Sequence, residues 1–134
     1  MENYFEPNFT DDQLRAISSI GLAHIGDAVY ELLVRTWLCA HGKATGKGLH
    51  RATVELVKAP AQAGMADKIL PLLTEEELAV FKRGRNAHVG HVPKNANVAD
   101  YHGATALEAL FGYLYLGGEV SRLRELFGLV MEEL

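Results

Sequence analysis

The stretch from Leu22 to Val34 restricts the fold of this chain more than any other. Its apolar residues recur at steps of three and four, the pattern of a helix with one buried face. They are Leu22, Ile25, Val29, Leu32 and Leu33.

Asp27 lies in the middle of this helix. Burying a carboxylate is costly unless a cation or hydrogen-bond donors compensate its charge, so a bound metal is one explanation. A solvated or ion-paired surface acid is the other, and Glu31, four residues on, offers a possible carboxylate pair.

Helix signals recur along the whole chain, whereas no segment has the pattern of a strand. Thr10 and Thr74 each precede a run of acids and a Gln or Glu at the capping-box position, which predicts helix starts at both. Apolar periodicity extends the prediction to residues 22–40, 49–58, 60–70, 101–116 and 120–130. Residues 43–48 and 86–100 are rich in Gly or Asn and predict loops. The expected fold class is therefore all-α, without a sheet.

Length and composition favour one domain over residues 1–134, with residues 1–9 as a loosely held lead-in. A hydrophobic content of 49% is enough for a proper core. Cys39 is the single cysteine and cannot form an internal disulfide, and no secretory signal or apolar run of about 20 residues occurs. We therefore expect a protein of the reducing cytoplasm, without a membrane span.

A basic segment stands out in a chain whose net charge is −4. From Ala79 to Ala99 the basic residues are Lys82, Arg83, Arg85 and Lys94, and no acid occurs among them. One surface can therefore face a polyanion while the whole molecule stays acidic. The alternative is that the cations only complement the negative end of a helix and that the loop after them has no function.

Two other ligand signals are weak. The Gly42 to Gly48 segment lacks both the preceding strand and the full spacing of a phosphate-binding loop, so we expect no nucleotide cofactor. His88, His91 and His102 suggest zinc, but no cysteine accompanies them and their spacing is not that of a zinc site.

Two segments resemble the ribonuclease III family. Leu22-Ala-His-Ile-Gly-Asp-Ala-Val-Tyr is similar to its signature helix, and Ala106-Leu-Glu-Ala-Leu-Phe-Gly-Tyr-Leu-Tyr-Leu is similar to its second conserved helix. Lys82-Arg-Gly-Arg-Asn-Ala and Pro93-Lys-Asn narrow the resemblance to mini-ribonuclease III, the short form without a double-stranded-RNA-binding domain. The resemblance covers about residues 13–130 and implies a ribonuclease III endonuclease-like helical fold.

The resemblance also implies the site. Asp27 and Glu108 correspond to two metal-binding acids of the family, and we expect them to be the catalytic residues that hold Mg²⁺. Full-length ribonuclease III carries further acids at the places of Ala23, Ile20 and Thr105. Mini-enzymes resemble this chain in lacking them, so activity is expected while the number of metal ions stays open.

The favoured function is an Mg²⁺-dependent endonuclease for double-stranded RNA, leaving 5′-phosphate and 3′-hydroxyl ends in a ribosomal RNA precursor. Two alternatives are an inactive RNA-binding or ribosome-associated relative and a helical interaction module without RNA.

We expect a homodimer, since the apolar residues Leu22, Ile25, Val29 and Trp37 exceed the needs of a small core and an RNA duplex has two strands. The residues expected to bind RNA are Lys82, Arg83, Arg85, Asn86, Lys94 and Asn95, with Asn97 also within reach.

Overall fold

The computed structural model describes residues 3–42, 45–87, 92 and 94–131, and it is helical throughout. The helices are α1 Asp11–Arg15, α2 Ser19–Ala40, α3 Gly46–Val57, α4 Ala59–Ile69, α5 Glu75–Arg85, α6 Val98–Leu116 and α7 Val120–Met131. A 3₁₀ turn, Leu70–Leu72, follows α4. No strand occurs in these ranges, which confirms the predicted all-α class.

Helix α6 is the centre of the fold. Every residue from Ala104 to Leu114 is buried except Glu108 and Tyr113, which are half-buried. Helices α2, α4 and α5 all pack against α6. Tyr30 of α2 lies edge-on against Phe111 of α6, with ring centroids 5.6 Å apart. Because α6 is covered by three neighbours, any polar group that it carries must find its partners among those helices.

The tightest packing is the crossing of α2 and α6. A β-carbon on Gly112 would lie 2.0 Å from the carbonyl oxygen of Leu22, and one on Gly26 would collide with α6 in the same way. Only glycine at both positions allows the two backbones to approach this closely. The crossing therefore brings Asp27, the residue after Gly26, next to the turn of α6 that contains Glu108 and precedes Gly112.

The helix starts follow the predicted capping chemistry. Thr10 and Thr74 both form complete capping boxes, with Gln13 and Glu77 respectively. Glu77 does more than cap its own helix, because Arg122 of α7 donates to both of its carboxylate oxygens at 2.8 and 2.9 Å. Arg122 also donates to the carbonyl of Leu72 at 2.8 Å, so it joins α7 to the 3₁₀ turn and to α5.

Several helices begin earlier than the periodicity predicted. Thr45 caps α3 at Gly46, inside the predicted 43–48 loop, and Asn97 caps α6 at Val98, inside the predicted 86–100 loop. Helix α2 begins at Ser19, where Ser18 accepts a hydrogen bond from the Gly21 amide. In each case the helix begins after a polar N-cap side chain. The apolar pattern marks only the buried residues, so it places the start of the helix too late.

Part of the lead-in is attached to the helices, since Pro7 is buried and the Phe9 amide donates to the carbonyl of Leu116 at 2.8 Å, whereas Tyr4 and Phe5 are exposed. A further expectation was wrong. Leu32 does not belong to the buried stripe of α2, since 61% of it is exposed. The stripe is completed instead by Tyr30 and Val34. No helix within the described part of the chain is both long and apolar enough to cross a membrane.

Candidate active site

Asp27 and Glu108 meet where α2 crosses α6. Asp27 follows Gly26 on the exposed side of α2, and Glu108 interrupts the buried run of α6. The side chain of Asp27 is close enough to Glu108 to raise the pKa of its carboxyl group. The helix crossing thus brings together the two acids that the sequence pointed to, although they come from opposite halves of the chain.

The surroundings of Glu108 favour its protonated form. Burial, the hydrogen bond with Asp27 and the negative charge of Asp27 together raise the pKa of Glu108 to about 8. The amide of Gln62 opposes this shift, since it hydrogen-bonds to Glu108 and stabilises the charged carboxylate. A carboxyl group whose pKa is raised by a neighbouring acid marks a place where a cation would be stabilised.

Glu31 does not take part in this pair. Its carboxylate lies 2.9 Å from the guanidinium of Arg35, one turn further along α2, and both side chains are exposed. The alternative carboxylate pair of Asp27 and Glu31 is therefore not present, and Glu31 is an ordinary surface acid.

The places that are acidic in full-length ribonuclease III are filled differently here. Ala23 is buried in a small apolar cluster with Leu22, Val80 and Ala109. Thr105 is buried too, and its hydroxyl donates to the carbonyl of Tyr101 at 3.0 Å. Ile20 is 41% exposed. The described residues hold no group of three or more His, Cys, Asp or Glu side chains arranged to bind a metal. Asp27 and Glu108 are thus the protein ligands that this region offers.

The basic end of α5 packs against the same turn of α6. A β-carbon on Gly84 would lie 2.8 Å from that of Ala109 and 3.2 Å from the Cα of Ala106, the neighbours of the Glu108 turn. Lys82, Arg83 and Arg85 flank this contact and are exposed, as is Asn86 at the end of the helix. Arg85 also lies over the ring of Phe81, 6.0 Å from its centroid.

The remaining candidate RNA ligands lie beyond α5. Lys94 and Asn95 are exposed in a turn before α6. Asn97 has another role, because its side chain accepts a hydrogen bond from the Asp100 amide and caps α6. His88, His91 and Pro93 lie outside the described residues. His102 is half-buried on α6, and its Nδ1 has no hydrogen-bond partner among the residues that are described.

A groove of about 450 Å³ lies between α1, α2, α5 and α6. Leu22, Val80, Arg83 and Tyr113 contribute to its lining, whereas Asp27 and Glu108 do not. This groove is therefore separate from the two acids, of which Asp27 is exposed and Glu108 is half-buried.

Gln62 is the site residue that the sequence reasoning missed. It is 3% exposed and lies on α4 beside Glu108. The one available signal was its place among Ala63, Met65 and Ala66, the apolar residues that predicted the buried face of α4. A polar amide on such a face needs partners just as a carboxylate does.

The comparisons with known proteins agree with this arrangement. The Ribonuclease III domain model matches residues 21–119, a range that contains both acids and the basic end of α5. A Mini-ribonuclease 3 from Clostridium tetani is 44% identical over 133 residues, covering 98% of this chain and 88% of that protein. The chain belongs to the mini-ribonuclease III family.

Other relatives lead to the same assignment. A Mini-ribonuclease 3 from Brevibacillus brevis is 46% identical over 90% of this chain and 85% of its own length. A crystal structure of a protein from Fusobacterium nucleatum superposes with a TM-score of 0.79 at 30% identity, covering 86% of this chain and 93% of the other. As a mini-ribonuclease III, the chain is an endoribonuclease with a ribonuclease III fold. The inactive relative and the helical module without RNA are therefore disfavoured.

Proposed function

We propose that this mini-ribonuclease III is an Mg²⁺-dependent endonuclease that cleaves double-stranded RNA, with Asp27 and Glu108 as its catalytic, metal-binding acids. The observation that carries the proposal is the meeting of these two acids at the helix crossing, where Gly26 lies against the backbone of Glu108 and Asp27 raises the pKa of the Glu108 carboxyl. The exposed cations of α5 lie against the adjacent turns of α6, where they can hold the RNA backbone beside the acids.

The donor set fits a hard divalent cation. Mg²⁺ prefers oxygen ligands and is commonly bound through one or two carboxylates, with water and substrate phosphate oxygens completing its shell. When bound, such an ion activates a water and neutralises charge on the phosphate under attack. In the protein, Glu108 would lose its proton, and Asp27 and Glu108 would act as oxygen ligands. Gly26 and Gly112 hold the helices at the distance that keeps these acids together.

Three features support duplex RNA as the substrate. Asp27 is exposed beside the half-buried Glu108, so a long rigid duplex can approach the pair from outside. The basic residues can contact phosphates, and Asn86 and Asn95 can contact phosphates or 2′-hydroxyls, which is how duplex RNA is mainly recognised. Hydrolysis would leave 5′-phosphate and 3′-hydroxyl ends. The resemblance to mini-ribonuclease III further suggests a ribosomal RNA precursor, at the ends of the large-subunit RNA.

The proposed active form is a homodimer that uses the exposed face of α2. Leu22 and Val29 are buried inside the chain itself, and Ile25 and Trp37 are half-buried, so they do not supply the surplus apolar surface expected from the sequence. Leu32 does, because 61% of it is exposed on α2. A two-fold axis would place one site on each strand of an antiparallel duplex. Leu32→Glu should yield a monomer by light scattering, whereas Leu129→Glu on α7 should not.

Cleavage of a long RNA duplex tests the proposal. The wild-type protein is incubated with labelled duplex in Mg²⁺, with EDTA in a parallel sample and with one strand alone in another. Asp27→Asn and Glu108→Gln keep the side-chain volume and remove one charge. Each should slow duplex cleavage at least about a hundredfold, since metal ions contribute several kcal/mol to transition-state stabilisation. Glu31→Gln is the matched control on α2 and should cleave like the wild type.

RNA binding is measured on the same variants in Ca²⁺, together with their circular dichroism. Both acid variants should remain helical and bind the duplex. Turnover near the wild-type rate by either variant would remove that acid from the site. Cleavage of the single strand alone would contradict the duplex as substrate.

A further inference from the structure

Gln62 is held in a fixed orientation at the start of α4. Its Nε2 donates to the carbonyl of Val57, the last residue of α3, at 2.8 Å. A carbonyl only accepts hydrogen bonds, so this contact determines which end of the amide is nitrogen. With 3% of its surface exposed, Gln62 is among the few buried polar residues of the described chain. The amide is thus fixed by the junction of α3 and α4.

The same amide is close to the candidate active site. Gln62 on α4 and Asp27 on α2 both act on the carboxyl of Glu108, whose pKa Gln62 lowers and Asp27 raises. Close packing of α4 on α6 stabilises this placement, since a β-carbon on Gly103 would lie 3.2 Å from that of Ala63. An amide nitrogen carries two hydrogens, so one can be donated to Val57 while the other faces Glu108.

The other end of the amide lacks a partner in the described residues. Oε1 of Gln62 is buried and accepts no hydrogen bond there. Buried acceptors are nearly always paired, and an apolar side chain of similar volume would avoid the cost of this one. Because the same side chain acts on Glu108, this unpaired acceptor belongs to the surroundings of that carboxyl group.

We infer that Gln62 is a positioning residue of the metal site. Its amide nitrogen holds the Glu108 carboxylate against Asp27, and its oxygen is the acceptor for a water that enters beside them. This inference rests on the proposed function, because it assumes that Asp27 and Glu108 bind the cation.

Titration of the protein with Mg²⁺ alone, followed by calorimetry in the absence of RNA, tests the inference. Gln62→Leu removes both hydrogen-bonding ends at similar volume, and Gln62→Met repeats this with a more adaptable side chain. Thr53→Val is the matched control, since Thr53 is also buried and bonds only to the carbonyl of Leu49 in its own helix. Thermal unfolding and the kcat and KM for duplex RNA are measured on the same samples.

The Gln62 variants should bind Mg²⁺ about 10- to 100-fold more weakly than the wild type, as expected when a group that orients a metal ligand is lost. Their kcat should fall while KM for the duplex changes little, because the RNA-binding cations are untouched. Their melting temperatures should stay close to that of Thr53→Val, and Thr53→Val should bind Mg²⁺ normally.

A folded Gln62→Leu or Gln62→Met protein with wild-type Mg²⁺ affinity would overturn the inference. Loss of folding in both variants would also overturn it, because Gln62 would then be a structural residue. Asp27→Asn in the same titration separates the two proposals. If Asp27→Asn loses Mg²⁺ binding and the Gln62 variants keep it, only the role of Gln62 fails. If Asp27→Asn binds Mg²⁺ normally, the proposed metal site itself fails.

Discussion

A β-carbon on Gly26 would lie 1.6 Å from the carbonyl oxygen of Glu108, so the residue before one proposed catalytic acid touches the backbone of the other. The contact explains how two acids from distant parts of the chain come to lie next to each other. A substitution of Gly26 would therefore change both the packing of α2 on α6 and the position of the two acids.

Gly26→Ala should therefore destabilise the protein by at least about 3 kcal/mol, because α2 and α6 must separate to admit one methyl group. Gly64→Ala is the control, since Gly64 is an exposed helical glycine of α4 with nothing within 4 Å of its would-be β-carbon. That change should stabilise the protein by about 0.5–1 kcal/mol through the entropy of the unfolded chain. Urea unfolding measures both. Equal stability of the two variants would contradict the close crossing.

The contact between Glu77 and Arg122 predicts a pH-dependent contribution to stability. Hydrogen bonds from Arg122 lower the pKa of Glu77 from its ordinary value of 4.5. A lowered carboxyl pKa stabilises the folded state above the unfolded pKa, and this contribution is lost as the pH falls through the folded one. Glu77→Gln should thus cost about 1–3 kcal/mol at neutral pH and progressively less below pH 4.5.

Glu55→Gln is the matched control for this pH series. Glu55 pairs with Lys58 at 2.7 Å, but both side chains are well exposed, and such pairs contribute about 0–1 kcal/mol. Chemical unfolding at several pH values distinguishes the two acids. A cost of Glu77→Gln that stayed constant between about pH 7 and pH 3 would rule out the linkage.

The basic residues at the end of α5 and in the turn before α6 predict the salt dependence of RNA binding. Within the described part of the chain, Lys82, Arg83, Arg85 and Lys94 form no ion pair with an acid, so their charges are available to phosphates. Replacing Arg83, Arg85 and Lys94 by Ala should weaken duplex binding. The plot of log affinity against log salt should also flatten, by roughly one unit for each phosphate that the variant no longer binds.

A charge-matched variant controls for the general loss of positive charge. Arg51 on α3, Lys58 before α4 and Arg124 on α7 are exposed outside α5 and its following turn, and replacing all three by Ala changes the net charge by the same amount. That variant should keep the wild-type salt slope. If the two triple variants have the same slope, the cations of α5 and the following turn do not form the RNA-binding surface.

Restoring an acid at Ala23 should harm the protein rather than improve it. Ala23 is buried with Leu22, Val80 and Ala109, so Ala23→Glu would place a carboxylate without a partner in an apolar cluster. We expect a loss of about 3 kcal/mol or more in the free energy of unfolding. Ile20→Glu, at a position that is 41% exposed, should change it by less than about 1 kcal/mol. Thermal unfolding decides between these outcomes, and a stable, more active Ala23→Glu enzyme would contradict the prediction.

The helices were predictable from the sequence because their signals are local. Capping boxes at Thr10 and Thr74 lie within four residues, and a helical stripe repeats within two turns. The two acids were proposed through their resemblance to a known family, since spacing alone left open whether Asp27 binds a metal or is a surface acid. Leu32 fits the local helical pattern but is 61% exposed. Which residues of α2 are buried depends on where the neighbouring helices pack, and the local pattern does not contain that information.

The partners of Glu108 were not predictable in the same way. Gln62 and Asp27 reach Glu108 from two different helices, and no local pattern records which helices become neighbours. Asn97 illustrates a related limit. We expected its amide to contact RNA, but its side-chain oxygen accepts a hydrogen bond from the Asp100 amide and caps α6. A sequence does not reveal whether such a side chain will bond to the backbone or to a ligand.

The position of the acids at the closest helix crossing has a consequence for inactivation by heat. A site built on loops can lose its geometry by local opening while the core stays folded. Here Asp27 and Glu108 can separate only if α2 leaves α6, and that motion would expose the centre of the core. Activity and tertiary structure should therefore disappear over one temperature range, with no folded but inactive form between them.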